Sequence, residues 1–170
     1  MSVLADRHLV LVGLMGSGKT TVGRVIAARL GRPLYDTDAL IEAREGRTVR
    51  EIWLDAGEEA FREIETQVLA DSLAADDKTV IAAAGGVVLR SQNRAALRNS
   101  GARVVWLRAD PSVLAERVKG GPHRPLLDDD PEGALQRMYD EREELYREVA
   151  DAIVTVDNRT VNDVVDAVLR

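Results

Sequence analysis

The sequence predicts an α/β fold of three layers, α/β/α, in which helices cover both faces of a five-stranded parallel sheet. Short apolar runs alternate along the chain with segments of helical periodicity, and five of these runs have the length of a buried strand. The 170 residues are 45% hydrophobic and 31% charged. These values are ordinary for one globular domain, which we take to span residues 1–170.

Each predicted strand is a short apolar run that ends where the pattern breaks. The predicted strands are Leu9 to Val12, Pro33 to Tyr35, Thr79 to Ala83, Arg103 to Leu107 and Ile153 to Val156. The first run ends at Gly13 and the third at Gly85-Gly86. Glycine at the end of a strand allows a tight turn, so we expect loops at both places.

The segments between the strands show helical spacing of apolar residues. The predicted helices are Thr21 to Leu30, Asp38 to about Leu73, Ser91 to Arg98, Pro111 to about Lys119, Pro131 to Val149 and Thr160 to Leu169. Gly31 is suited to ending a helix and Pro111 to opening one. Gly46 and Gly57 interrupt the longest pattern, which predicts breaks near both residues.

Charge and cysteine content exclude several classes of function. Lys and Arg total 23 and Asp and Glu total 29, a net charge of −6. Nucleic-acid-binding proteins usually carry a basic surplus instead. There are no cysteines, which excludes disulfides, thiolate nucleophiles and cysteine-ligated metals. No apolar run approaches the roughly 20 residues of a membrane span, so we expect a cytoplasmic protein without nucleic-acid or membrane partners.

A phosphate-binding loop follows the first predicted strand. The segment GLMGSGKT, Gly13 to Thr20, fits the pattern G-x-x-x-x-G-K-[ST] and opens a predicted helix. Its backbone N–H groups would surround phosphate oxygens, Lys19 would reach the β and γ phosphates, and the Thr20 hydroxyl would bind Mg²⁺. The nucleotide contacts predicted here are Gly13, Gly16, Ser17, Gly18, Lys19, Thr20 and Thr21. The chain is therefore predicted to bind a nucleoside triphosphate.

Three classes of phosphate-loop protein are compatible with that motif: a small-molecule or nucleotide kinase, a GTPase-type switch and a motor-type ATPase. A GTPase would need a guanine-reading Asn-Lys-x-Asp segment, which this sequence lacks. A motor ATPase usually has a longer core. Length and motifs therefore favour a kinase.

Two carboxylates follow the second predicted strand. Asp36 and Asp38 are separated by Thr37, and residues two apart in an extended chain point the same way. The carboxyl ends of parallel strands are where open α/β sheets bind ligands. One carboxylate could therefore support Mg²⁺ and the other accept a proton from an attacking hydroxyl. On spacing alone, a solvated turn is an equally good interpretation.

An acidic and basic cluster lies in the long helical pattern. Arg62 and Glu65 are three residues apart and share a helix face, and Glu58 lies near the start of that part of the helix. Taken alone, this pattern is more typical of a surface ion pair than of a binding site.

The ordered set of motifs resembles the shikimate kinases over nearly the whole chain. The matching pieces are the phosphate loop, Asp36-Thr37-Asp38, Gly57-Glu58 with Phe61-Arg62-x-x-Glu65, Gly85-Gly86, Arg124-Pro125-Leu126-Leu127 and Arg142-x-x-Leu145-Tyr146. The resemblance implies transfer of the γ-phosphoryl group of ATP to the 3-hydroxyl of shikimate, with ATP and Mg²⁺ as cofactors. It also implies a monomer and the strand order 2-3-1-4-5.

The resemblance assigns roles at both ends of the site. Asp38 would be the base, Lys19 and Arg124 would be catalytic, and Asp36 with Thr20 would support Mg²⁺. The substrate contacts so implied are Asp38, Trp53, Arg62, Glu65, Gly85, Gly86 and Arg142. In that set, Arg62 and Arg142 would hold the shikimate carboxylate, because a planar guanidinium matches its geometry. Glu65 would hold Arg62 in place, the two glycines would let the backbone approach the substrate, and Trp53 would form a pocket wall.

Further contacts and two segments follow from the same resemblance. Arg117, Arg124 and Arg159 would contact the nucleotide. Residues from about 36 to 65 would form the substrate-binding segment, and residues from about 117 to 130 a lid that closes over the phosphates. The sequence departs from the family pattern at Ala84, where a glycine is usual, and at Glu144, where a proline is common beside the late arginine.

Two other functions remain compatible with the sequence. The arginine pair would also suit the acceptor of another small-molecule kinase, such as gluconate or a nucleoside monophosphate. A regulator that binds shikimate without turnover is the second alternative, although no DNA-binding segment is evident. The acceptor that accelerates ADP release distinguishes the first from a shikimate kinase, and binding without phosphoryl transfer would identify the second.

Overall fold

The computed structural model describes residues 4–119 and 130–170 and contains one five-stranded parallel sheet. Its strands are β1 (Leu9–Val12), β2 (Leu34–Asp36), β3 (Val80–Ala82), β4 (Arg103–Arg108) and β5 (Ala152–Thr155). Their order is β2-β3-β1-β4-β5, and each neighbouring pair is parallel. The predicted fold class and strand order are confirmed.

Helices separate the strands in sequence, as a parallel sheet requires. The described helices are α1 (Lys19–Leu30), α2 (Thr37–Glu45), α3 (Val49–Leu73), α4 (Ser91–Asn99), α5 (Pro111–Val118), α6 (Pro131–Val149) and α7 (Val161–Leu169), with a 3₁₀ turn at Val87–Leu89. All four residues of β1 are fully buried. Since side chains alternate between the faces of a strand, helices must cover both faces of the sheet there.

The long predicted helix from Asp38 to Leu73 is two helices in the structure. Helix α2 ends at Gly46, which has a φ of 67°, and α3 begins at Val49 behind a Thr48–Glu51 capping box. Gly57, with φ 86° and ψ 174°, interrupts α3. Left-handed backbone is cheap for glycine alone, so the sequence placed both breaks correctly.

A small second core joins α2 and α3 to each other. It consists of Ile41, Ile52, Phe61 and Val68, all at most 3% exposed. Side chains of this core come only from α2 and α3, so the two helices form a separately packed unit beside the sheet. That unit carries Asp38 at one end and Arg62 in its middle. Within the described part of the chain, no helix is long and apolar enough to cross a membrane.

Candidate active site

The carboxyl ends of β1, β2 and β3 open onto a cavity of about 660 Å³. The phosphate loop, the start of α2 and the turn after β3 line its centre, and residues near the end of β5 line one side. The order of the sheet places β1 between β3 and β4, so the chain leaves β1 at a topological switch point. Ligands bind at such crevices in open α/β sheets.

The phosphate loop has the backbone conformation that its glycines predict. Gly13 and Gly18 have φ of 146° and 95°, and α1 begins directly after Gly18. A Cβ at Gly13 would lie 2.6 Å from the carbonyl oxygen of Leu107, so no larger residue fits there. The buried hydroxyl of Ser17 has no hydrogen-bond partner among the described residues. A loop with free polar groups at a helix N-terminus is suited to a phosphate.

Lys19 lies folded over the same loop. Its Nζ donates to the carbonyl oxygens of Gly13, at 2.7 Å, and Leu14, at 3.0 Å. The ammonium group is therefore held beside the phosphate loop, and Lys19 lines the cavity. Thr21 lines the cavity from the first turn of α1.

Thr20 and Asp36 form the pair of oxygen groups predicted to support Mg²⁺. The Thr20 hydroxyl donates to Oδ2 of Asp36 at 2.6 Å, and Oδ1 of Asp36 accepts the N–H of Ala39 at 3.1 Å. Among the described residues, no group of three or more acidic, histidine or cysteine side chains could hold a metal by itself. The adjacent hydroxyl and carboxylate of Thr20 and Asp36 fit Mg²⁺ in its usual nucleotide setting, where phosphate oxygens and water complete the shell.

Asp36 and Asp38 lie at the junction of β2 and α2, and not together on extended chain as their spacing predicted. The two were expected to face the same way along extended chain, but Asp36 is the last residue of β2 and caps α2, while Asp38 lies in the first helical turn. Both nevertheless line the cavity, because α2 begins immediately where β2 ends. The alternative of a solvated turn is wrong for this segment.

Arg62 and Glu65 form a buried pair on α3, not the surface ion pair that the local pattern favoured. Arg62 is 7% exposed and Glu65 0%. Nη1 of Arg62 donates to Oε1 of Glu65 at 2.9 Å, and Nε lies 3.5 Å from a carboxylate oxygen of Glu58. Loss of water around the buried Glu65 carboxyl raises its pKa to about 7, against the opposing charge of Arg62.

Gly85 and Gly86 form the turn against which both buried arginines lie. A Cβ at Gly86 would overlap the guanidinium of Arg62, and a Cβ at Gly85 would lie 3.6 Å from Nη1 of Arg142. The N–H of Ala84 donates to Oγ1 of Thr37 at 3.0 Å. Positive φ is confined to Asn158 and glycines in the described chain. The methyl group of Ala84, a departure from the family pattern, therefore needs no unusual backbone.

Arg142 reaches this turn from α6. It is 5% exposed, and its Nε has no hydrogen-bond partner among the described residues. Tyr146, one helical turn later, is completely buried and donates its hydroxyl to the carbonyl oxygen of Gly85 at 2.6 Å. The side chain of Glu144 is 83% exposed and lies 3.8 Å from Arg147, so this second departure points away from the cluster.

Electrostatic contact joins these groups into one cluster. Asp38 and Arg142 both act on the ionisation of Glu65, and Arg142, Glu65 and Arg62 all act on that of Tyr146. Desolvation nevertheless dominates at Tyr146 and raises the pKa of its phenol. Asp38, the predicted base, is therefore close enough to this cluster to interact electrostatically with Glu65.

Trp53, like the predicted substrate residues Arg62, Glu65, Gly86 and Arg142, is not among the residues that line the cavity described above. Its ring centroid is 5.6 Å from that of Phe61 and 5.5 Å from the guanidinium carbon of Arg62. It is half-buried, and it packs against the second core of α2 and α3. The structure thus places Trp53 against a predicted substrate residue and supports packing as its first role.

The nucleotide side of the cavity contains two predicted residues and two that the sequence did not single out for this role. The predicted Arg117 and Arg159 both line it, and Nη1 of Arg117 donates to the carbonyl oxygen of Gly16 at 3.2 Å. The apolar residues Val156 and Val161, the latter 40% exposed, also line it and were not predicted as nucleotide contacts. An exposed valine in a cavity can pack on the flat face of a nucleobase. The sequence around Val161 has the pattern of an ordinary helix start and gives no sign of this role.

Arg124 and most of the predicted lid lie outside the described residues. The same is true of His123, Asp128 and Asp129. Asp130 is described, and it caps α6 by accepting the N–H of Gly133 at 3.1 Å.

Fold and site together define a phosphate-loop kinase: a nucleotide cavity, a pair of oxygen groups for Mg²⁺ and, beside them, two buried arginines that can receive an acid. The family model "Shikimate kinase" matches residues 15–170. A shikimate kinase from Symbiobacterium thermophilum is 50% identical over 165 residues, covering 95% of this chain and 94% of that protein. The chain belongs to the shikimate kinase family, whose members are ATP-dependent kinases.

Solved structures agree with this assignment. The shikimate kinase from Acinetobacter baumannii in complex with shikimate has a TM-score of 0.92 and 35% identity, covering 98% of this chain and 92% of that one. A gluconokinase from Sinorhizobium meliloti, a relative of the alternative class, has a TM-score of 0.63 and 25% identity, covering 96% of this chain and 90% of that one. The fold is common to both, but the likeness is much greater to the shikimate kinase.

Proposed function

We propose that this chain transfers the γ-phosphoryl group of ATP to the 3-hydroxyl of shikimate, giving shikimate 3-phosphate and ADP. The observation that carries the proposal is the placement of two buried arginines, Arg62 and Arg142, at a glycine turn beside the phosphate loop. Buried cations need anionic partners. Arg62 has the carboxylates of Glu65 and Glu58 beside it, whereas the buried Nε of Arg142 has no hydrogen-bond partner among the described residues. A substrate carboxylate would supply an anion at Arg142 and would fit the planar guanidinium donors.

On the nucleotide side, the backbone from Gly13 to Thr20 would surround the phosphates, and Lys19 would turn from its loop carbonyls to the β and γ phosphates. Thr20 and Asp36 would hold Mg²⁺, which when bound neutralises charge that develops on the phosphate oxygens. Arg117, Arg159 and Val161 would contact the adenine and ribose side of the nucleotide. The chain's part on this side is thus binding and charge stabilisation.

On the acceptor side, Arg62 and Arg142 would hold the carboxylate, and Gly85 and Gly86 would let the ring approach the backbone. This would place the 3-hydroxyl near Asp38, which lines the cavity with the phosphate loop and interacts electrostatically with Glu65 of the acid-binding cluster. Asp38 would orient that hydroxyl and accept its proton while the oxygen forms a bond to the γ phosphorus and the bond to the β-phosphate oxygen breaks. Phosphoryl transfer depends mainly on such positioning.

The other predicted residues and segments would also have roles in this reaction. Glu65 would keep Arg62 aimed at the carboxylate, and Trp53 would support Arg62 from behind. Residues from about 36 to 65 would be the substrate-binding segment and residues from about 117 to 130 the lid, with Arg124 on the phosphates. We also infer a monomer, since one chain carries both the acid-binding cluster and the phosphate loop; light scattering on the purified protein tests this. We propose the cytoplasm as the place where it acts.

The test is ADP release from MgATP with and without shikimate, in wild type and in Asp38→Asn. We expect shikimate-dependent turnover that falls at least about 100-fold in the variant, within the range for loss of a general base. Asp71→Asn, an exposed aspartate on α3 paired with Arg44, is the matched control and should retain full activity.

Gluconate and nucleoside monophosphates are the comparison acceptors. Faster ADP release with either than with shikimate would overturn the proposal in favour of another small-molecule kinase. Shikimate binding without any ADP release would overturn it in favour of a regulator. Full activity in Asp38→Asn would leave the reaction intact and remove Asp38 as its base.

A further inference from the structure

The turn Ala84–Gly86 lies against both the phosphate loop and the two buried arginines, although none of its side chains is suited to chemistry. A Cβ at Gly85 would lie 3.3 Å from the carbonyl oxygen of Gly13 and 3.5 Å from the backbone nitrogen of Met15, so the turn packs directly on the phosphate loop. Gly86 packs on the guanidinium of Arg62. Any movement of this turn therefore changes the distance between the phosphate loop and the arginines.

Two buried side chains hold adjacent residues of this turn from opposite sides. Thr37, 0% exposed at the start of α2, accepts the N–H of Ala84 at 3.0 Å. Tyr146, 0% exposed on α6, donates to the carbonyl oxygen of Gly85 at 2.6 Å. The partners are separated by 47 and 61 residues of sequence. These bonds therefore tie distant elements together and are not local turn geometry.

Each bond also links the turn to a predicted reacting or binding group. Thr37 stands between Asp36 and Asp38, so its bond couples the turn to the metal and base side. Tyr146 follows Arg142 by one helical turn, and its ring stacks on Trp106 with centroids 5.4 Å apart, which fixes the direction of its hydroxyl. The bond from Tyr146 thus couples the turn to the arginine side.

We propose that Thr37 and Tyr146 are positioning residues that hold the turn Ala84–Gly86. By holding it, they fix the relative positions of the phosphate loop, the proposed base Asp38 and the acid-binding arginines. Neither side chain needs to touch substrate for this role. The proposal rests on the proposed function, since these relative positions matter for a substrate that is held by its carboxylate and must present a hydroxyl to the γ-phosphate. A displacement well below 1 Å is sufficient to slow such a reaction several-fold.

The test for Tyr146 is Tyr146→Phe, which removes one hydroxyl and keeps the ring stack. We expect KM for shikimate to rise roughly tenfold, the equivalent of one hydrogen bond, and KM for ATP to change less than about twofold. Calorimetric titration with shikimate should show the same loss of affinity, independently of turnover. Tyr139→Phe is the matched control: it lies on the same helix beside Trp106, but its hydroxyl accepts from Arg108, away from the turn.

The test for Thr37 is Thr37→Val beside Thr37→Ser. Valine keeps the shape and loses the acceptor, so kcat should fall roughly tenfold, while serine keeps the hydroxyl and should restore activity to within about threefold. Thr79→Val is the matched control, because Thr79 is also fully buried and its hydroxyl lies 2.9 Å from Nδ1 of His8 at the opposite end of the sheet. It should lower stability without changing KM for shikimate or kcat.

The possible outcomes separate this proposal from the function on which it rests. If wild type shows no shikimate-dependent ADP release, the proposed function fails and the positioning proposal falls with it. If wild type is active, any of three results overturns positioning alone. Two of them are KM values for ATP and shikimate that rise together in Tyr146→Phe, and Thr37→Ser as impaired as Thr37→Val. Parameters for Tyr146→Phe that equal those of Tyr139→Phe would do the same.

Discussion

The guanidinium of Arg62 lies against the backbone of Gly86, so closely that a Cβ at that position would overlap it. Gly86 itself has an ordinary φ of −86°. Its small size, and not its conformational freedom, is therefore what the site requires. A position that any residue could adopt by backbone geometry is restricted to glycine by the arginine beside it.

Gly86→Ala tests this relationship directly. The backbone accepts alanine, so the only conflict is with Arg62, which must leave its position or strain the turn. Overpacking of this kind costs about 1–3 kcal/mol, and KM for shikimate should rise about 10- to 100-fold. Steady-state kinetics with each substrate varied in turn is the measurement. KM for ATP is the internal control, and an equal rise in both constants would show that the methyl group disturbs the phosphate loop instead.

Arg142→Lys separates charge from shape in the acid-binding cluster. Lysine keeps the positive charge but loses the planar fork that matches a carboxylate, so KM for shikimate should rise at least about tenfold with KM for ATP unchanged. Arg137→Lys, an exposed arginine on the same helix, is the matched control. Unchanged shikimate kinetics in Arg142→Lys would mean that a point charge suffices at this position.

Glu65 predicts a dependence of stability on pH, because its pKa is raised to about 7 by burial from an ordinary value of 4.5. Between these values the folded chain holds a proton that the unfolded chain releases, so the free energy of unfolding should fall as pH rises from 4.5 to 7. At about 1.4 kcal/mol per pKa unit, this group contributes up to about 3 kcal/mol to that change.

The measurement for Glu65 is urea unfolding from pH 5 to 8 in wild type and Glu65→Gln. Glutamine keeps an acceptor for Arg62 and cannot ionise, so the variant should lose stability less steeply as pH rises. Glu141→Gln, an exposed carboxylate on α6, should leave the wild-type dependence intact. Parallel profiles for wild type and Glu65→Gln would show that Glu65 does not titrate in this range.

Sequence patterns predicted the elements of the fold because those patterns are local. Alternating apolar runs gave the five strands, and Gly31, Gly46 and Gly57 marked breaks where the backbone has positive φ. The phosphate loop was equally predictable from the sequence, since its glycines, lysine and threonine lie within eight residues. The strand order needed the family resemblance, because periodicity carries no information on which strands are neighbours.

The parts of the site that depend on distant contacts were not predictable in this way. Spacing could not show that Arg62 is buried, since its burial comes from the glycine turn and from Trp53 and Phe61. Thr37 and Tyr146 occurred within the motifs of the family resemblance, but the sequence predicted no role for either residue. Val161 gave no signal at all. In each case the deciding neighbour lies far away along the chain, where local periodicity has no reach.

His8 predicts the opposite dependence on pH at the other end of the sheet. The residue is 4% exposed, and its Nδ1 accepts the N–H of Thr79 at 3.1 Å, a bond that protonation would break. Burial, then the charge of Lys78, and more weakly that of Arg32, lower the pKa of His8, against a backbone hydrogen bond at Ala75 that raises it. Its contribution to stability is therefore present above pH 6.5 and lost as pH falls below it.

His8→Gln removes this titration, so the stability of the variant relative to wild type should rise as pH falls from 7 to 5, measured by urea unfolding of both proteins. Because His8 and Glu65 lie at opposite ends of the sheet and share no partner, their effects should add. The double variant His8→Gln with Glu65→Gln should therefore have a flatter profile than either single variant, on both the acid and the neutral side. A double-variant profile that differs from the summed single effects by more than about 0.5 kcal/mol would show that the two ends are coupled through β1 and β3.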